Sequence, residues 1–145
     1  MSPEATTPHP AIAAVLADHR RVDRLFDDVE ATEEGGRIGQ ILDALTAHDA
    51  AEQAALYPLA VGLLGDAAAV MSAFDAHREV KAQMERVRGL EGPPLLAAVA
   101  VLRALVAAHV ADEEEQLLPA IAAAASATQL DGLAARFEQA KQRVG

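Results

Sequence analysis

The sequence has no cysteine and no tryptophan, and only one tyrosine and three phenylalanines among its 145 residues. Without thiols there is no disulfide scaffold, no thiolate metal site and no cysteine nucleophile. Any metal held by this chain must therefore be bound through nitrogen and oxygen. Basic residues are also scarce, 12 Lys and Arg against 22 Asp and Glu, for a formal charge of -10. That balance disfavours nucleic acid as a partner, because phosphate contact needs a concentrated positive surface. Long uncharged runs are missing too. Gln116 to Leu130 is the longest, Pro119 interrupts it, and it falls short of the roughly 20 apolar residues that span a bilayer. No membrane span is expected. No Lys or Arg precedes Arg20, so the positive start of a secretory signal is absent and a cytoplasmic protein is expected.

Hydrophobic residues make up 52% of the chain, which excludes a disordered polar segment. Alanine, the best helix former, supplies roughly a quarter of the residues, and β-branched or aromatic clusters are few, so the reading is all-α. Breaks at Gly35-Gly36, Gly62 to Gly65 and Gly89 to Pro94 divide the chain into four long segments, about 11 to 33, 37 to 61, 66 to 89 and 94 to 118. Each has an apolar stripe at helical spacing, for example Ile12, Val15, Val22, Phe26 and Val29 in the first. Beyond Pro119, Thr128 with Asp131 three residues on suggests the cap of a fifth, packing helix. Short connectors favour antiparallel neighbours. The expected architecture is an up-down-up-down four-helix bundle over 11-120, with a flexible tail at 1-10 and a short additional C-terminal helix within 121-145.

Each stripe holds one histidine: His19, His48, His77 and His109, in steps of 29, 29 and 32 residues. In antiparallel helices, residues equally far from the connecting loop meet at one height, so all four can share a layer. Glu52 stands four residues after His48 and Glu113 four after His109, each pair one turn apart on one helix face. The chain thus repeats a half-site, His19 with His48-x-x-x-Glu52 and His77 with His109-x-x-x-Glu113. Imidazole suits iron, zinc and copper, while a carboxylate can bridge two cations and offset their repulsion, which makes Glu52 and Glu113 the bridge candidates. Any one of these histidines alone would be read as a hydrogen-bonded core residue; the matched set points to a pair of metals.

Asp18-His19-Arg20, His48-Asp49-Ala50-Ala51-Glu52 with Leu56-Tyr57-Pro58, His77, and His109-Val110-Ala111-Asp112-Glu113-Glu114 with Leu118-Pro119 resemble the hemerythrin-like, or HHE cation-binding, domain over about residues 11 to 120. The resemblance implies two iron ions inside a four-helix bundle, with an exogenous oxo or hydroxo bridge. By the same resemblance His19 and His48 ligate one iron, His77 and His109 the other, and Glu52 and Glu113 bridge them. A ferritin-like site needs Glu-x-x-His, and no Glu stands three positions before any of the four histidines. Oxygen-carrying hemerythrins resemble this chain but place a His-x-x-x-His pair on the third helix, where Ala73 and Lys81 flank His77 here. The missing fifth histidine leaves the irons more open, which suits chemistry on hydrogen peroxide, dioxygen or nitric oxide better than reversible carriage. Hydrogen peroxide decomposition, known among hemerythrin-like proteins, is the activity the resemblance favours; an oxygen-binding or iron-handling sensor without turnover is the alternative.

Other residues carry weaker signals. Tyr57 is a candidate phenolate ligand or radical partner, although an ideal helix projects it about 180° from His48 and so toward a packing role. Asp23 and Lys81, each one turn beyond a ligand histidine, are expected to form an ion pair behind the site, unless both reach solvent. Asp112 and Gln116 approach the core side of the fourth helix and are candidates for partners behind the ligands, although packing-edge positions explain them better. Glu114 and Glu115 read as a solvated face, and His9 as a solvated tail residue.

Overall fold

The computed structural model describes residues 7–32 and 36–144. Most of the 1-10 tail, and Gly35 of the expected Gly35-Gly36 break, lie outside the described residues. Five helices and no strands occur among the described residues, forming a helical bundle with one extra helix. Helix α1 is Pro10–Thr32. Helix α2 runs continuously through Gly36–Ala51, a π-helical turn at Glu52–Leu56, and Tyr57–Leu64. Helix α3 is Ala68–Arg88, and α4 runs through Gly92–Asp112, a second π turn at Glu113–Leu117, and Leu118–Ala124. Helix α5, Ala127–Val144, packs against α1 and α2. Gly65 ends α2 at φ 61° and Gly92 opens α4 at φ 63°, conformations in which a Cβ is strained.

Two boundaries differ from those read off the sequence. Pro119 does not end its helix, and Pro58, which the second segment already included, does not break it either. In each π turn the pairing lengthens to five residues, Tyr57 N–H to the Glu52 carbonyl and Leu118 N–H to the Glu113 carbonyl. Each proline then falls in the first turn of the α-segment that resumes, where a missing N–H is tolerated. The cap of α5 is Ser126, not Thr128: Gln129 N–H donates to Ser126 Oγ at 3.1 Å, and Ser126 N–H to Gln129 Oε1 at 2.8 Å, a reciprocal capping box. Helix α4 is also long and apolar enough to cross a membrane on length and composition alone, which counting uncharged runs did not anticipate, because a single Arg103 sits among its apolar residues.

Two apolar clusters fill the bundle. One contains Val22, Phe26, Ile41, Met84, Leu102 and Val106; the other contains Val15, Ala55, Leu56, Ala73, Leu117, Leu133 and Phe137. Along each of α1 to α4 the histidine falls between them: His19 between Val15 and Val22, His48 between Leu45 and Ala55, His77 between Ala73 and Met84, His109 between Val106 and Leu117. The two hydrophobic halves thus enclose one buried polar layer, in which every charge needs a partner.

Candidate metal centre

The spacing His-x-x-x-Glu places both side chains of each pair on the inner face of α2 or α4, and the structure brings all six residues of the two half-sites into that layer. His19, His48, Glu52, His77, His109 and Glu113 are all buried, Glu113 completely. His48 Nε2 lies 3.3 Å from Glu52 Oε1 and His19 Nε2 3.2 Å from Glu113 Oε1. His109 Nε2 stands 3.0 Å from Glu113 Oε2 and 3.5 Å from Glu52 Oε1, and His77 Nδ1 is 3.9 Å from Glu52 Oε1.

The atoms form two groups that could each hold a cation: His19, His48, Glu52 and Glu113, and Glu52, His77 and His109, each within 4.8 Å of one another. Glu52 belongs to both. In the first group His19 Nε2, His48 Nε2, Glu52 Oε2 and Glu113 Oε1 are buried without a hydrogen-bond partner. Native interiors rarely leave such atoms unpaired. Four in one place, all with lone pairs a cation accepts, fit a bound metal.

The outer ring nitrogens are held by carboxylates that spacing rules did not single out. His48 Nδ1 pairs with the buried Asp18 Oδ2 at 2.8 Å, His19 Nδ1 with Glu114 Oε2 at 2.8 Å, and His77 Nε2 with Asp49. Such partners orient an imidazole and raise its basicity. Glu114 is therefore no solvated-face residue: it also takes Arg20, at 3.0 and 3.2 Å. Each of the three sits beside a residue of the half-sites in sequence, and that adjacency was the available signal.

Tyr57 reaches the layer, against its ideal-helix projection. The π turn inserts one residue between His48 and Tyr57, so the ring rotates back over Glu52. Its hydroxyl lies 3.2 Å from His77 Nδ1, 3.4 Å from His109 Nε2 and Glu52 Oε1, and 3.5 Å from Glu113 Oε2. The expected Asp23–Lys81 pair does not form. Arg103 of α4 instead takes Asp23, Asp27 and Glu30 of α1, its planar fork presenting several donors at once. Lys81 is exposed beside the cavity below. Asp112 accepts from Ser72 at 2.8 Å away from the centre, and Gln116 and Glu115 are exposed. His9 is not free: it accepts from Ala11 N–H at 3.0 Å, starting α1, and pairs with Asp131 of α5 at 2.8 Å.

Charges in the layer are strongly coupled. Burial opposes protonation of His48 and His109, but the Glu52 and Glu113 carboxylates, with Asp18 for His48, outweigh it and raise both to about 10. Glu52 stays ionised well below its ordinary range: burial alone would raise it, and the charge of His48 with hydrogen bonds in the cluster overcomes that. Glu113 moves upward through burial and the Glu52 charge. Burial lowers His77, with Asp49 partly compensating. Against the layer lies a cavity of about 30 Å³, walled by Val22, Leu45, Val80, Met84, Val106 and Val110, with Asp49 and Lys81 also lining it.

Residues 11–121 match the family model described as the hemerythrin HHE cation binding domain. A Nostoc sp. protein named DNA nickase is 30% identical over 136 residues, which is 90% of this chain and 38% of the relative. The chain thus spans less than half of that protein's length. No solved structure matches.

Proposed function

The chain belongs to the hemerythrin family of HHE cation-binding domains, and from that premise we propose that it holds two iron ions and decomposes hydrogen peroxide. The observation that carries the reading is the set of buried donor atoms on His19, His48, Glu52 and Glu113 with no hydrogen bonds of their own, sharing Glu52 with the His77 and His109 group. His19 and His48 hold one ion and His77 and His109 the other, with Glu52 and Glu113 between them and Tyr57 as a further donor beside His77 and His109. When bound, iron supplies a store for two electrons, which balances the conversion of two peroxide molecules into dioxygen and two waters, one being oxidised and the other reduced.

The protein's own part is to orient and exclude. Asp18, Glu114 and Asp49 fix the imidazole rings from behind. The apolar cavity of about 30 Å³ has room for a molecule little larger than water, and its valine, leucine and methionine walls keep bulk solvent from the layer. Lys81 occupies the position one turn after His77 and carries no ion pair among the described residues, leaving its charge free to attract an anionic form of the substrate toward the cavity. The name of the Nostoc sp. relative does not extend to this reading. The matched stretch is 38% of that protein, and the -10 charge here repels a phosphate backbone, so small molecules are the proposed partners.

Iron reconstitution followed by metal analysis and a peroxide assay tests the reading. Two irons per chain and one dioxygen released for every two peroxides consumed are expected. An iron-loaded protein that leaves peroxide untouched would remove the catalytic claim and favour the oxygen-binding sensor.

A further inference from the structure

Helix α5 lies beyond the 11–121 stretch matched by the family, yet it reaches the centre from one side. The Phe137 ring, 1% exposed, stands edge-on to the His48 imidazole with centroids 5.9 Å apart at 75°. One helical turn further on, Lys141 pairs with Asp18 Oδ1, and the other oxygen of the same carboxylate holds His48 Nδ1 at 2.8 Å. Asp18 is itself buried at 7% exposure, so its charge depends on both partners. In the other half the edge-on ring and the carboxylate both come from α2 rather than α5: Tyr57 stands against His77 with centroids 5.3 Å apart at 86°. His109 Nδ1 is buried with no hydrogen-bond partner, and His77 leans on Asp49, whose side chain is 23% exposed.

Taking the two-metal reading as given, we propose that Lys141 and Asp18 are positioning residues for His48, and that docking of α5 is thermodynamically coupled to occupancy of the His19/His48 metal position. Lys141 fixes the Asp18 carboxylate, Asp18 fixes the ring plane, and Phe137 closes the side from which the imidazole could swing away. A donor held in place loses little freedom when a cation arrives, whereas a donor that swings must first be ordered. Coupling is reciprocal: if docked α5 tightens that position, a cation in that position holds α5 down. The His77/His109 position is indifferent to α5, so the two positions differ in affinity although their residues repeat.

The test uses the full chain, ferrous iron added anaerobically and zinc as a redox-inert probe. Two readouts are followed, ion stoichiometry with affinity by titration, and amide hydrogen exchange along α5 with and without the ion. The wild-type chain is expected to take two ions and to gain protection in α5 on loading. Lys141→Met, at a position 24% exposed and so tolerant of change, should bind one ion as before, bind the other at least tenfold more weakly, and lose most of the gain in α5 protection. Lys141→Arg should restore both, Asp18→Asn should reproduce the defect, and Arg143→Met, which removes an exposed charge from the same helix, should behave as wild type. Two ions bound with unchanged affinities by Lys141→Met and Asp18→Asn, or α5 exchange that ignores the ion, overturns the coupling while leaving the metal centre standing. A folded wild-type chain that takes up neither ion overturns the two-metal reading, and the coupling with it.

Discussion

At Tyr57 burial, then the charges of Glu52 and Glu113, push the phenol above its ordinary range, so in the metal-free protein the hydroxyl proton stays on. Only a strong positive charge in the same place makes a phenolate there, and the proposed cation beside His77 and His109 supplies it. The iron-loaded ferric protein is therefore expected to show visible phenolate-to-iron absorption. Tyr57→Phe should lose that absorption while keeping two irons by metal analysis; an unchanged visible spectrum would exclude the phenolate. The same residue marks where sequence reasoning stops. His19, His48, Glu52, His77, His109 and Glu113 were legible because spacing along one helix is a property of the chain. Asp18, Asp49 and Glu114 were not, because a side chain that braces a ring on another helix is defined by packing. The Asp23–Lys81 pair failed for that reason: Arg103 approaches from α4, and nothing local to α1 or α3 announces it.

The helices themselves were readable from glycine breaks and apolar stripes, which reflect backbone strain and burial acting over a few turns. The two π turns were not. Each begins at the carboxylate shared by the layer, Glu52 or Glu113, and each is followed by a proline at the same offset, Pro58 or Pro119. The repeated half-site therefore includes its distortion, and the residue closing each turn differs, Tyr57 in one half and Leu118 in the other. A polar group faces the His77/His109 side, and a buried leucine packs in the apolar core. At the start of α5 the Ser126 and Gln129 capping box satisfies backbone donors that would otherwise be lost. Ser126→Ala should lower stability by about 1 kcal/mol in urea denaturation without changing the denaturant slope. Ser126→Gly, which retains the conformation of a cap, should cost only a few tenths as much.

For the molecule as a whole, the buried layer links metal, proton and fold. In the metal-free protein His48 and His109 have folded-state values of about 10, above the value of about 6.5 for an unfolded histidine. A raised histidine adds stability that is complete below about 6.5 and is lost as pH climbs toward about 10. A cation takes the place of those protons, since the same nitrogens cannot hold both. Metal affinity should accordingly rise with pH across that window, each displaced proton making it up to tenfold tighter per unit. The loaded protein should escape the alkaline loss that the metal-free protein suffers. The surplus of acidic groups, -10 overall, makes both forms repel themselves more as pH rises, so the difference between them is the informative quantity. Thermal melts with and without metal, taken at steps between pH 6.5 and 10, should show the metal-induced increase in Tm growing steadily. An increase that is flat or shrinks with pH would mean that the protons on His48 and His109 and the metal do not compete for the same nitrogens.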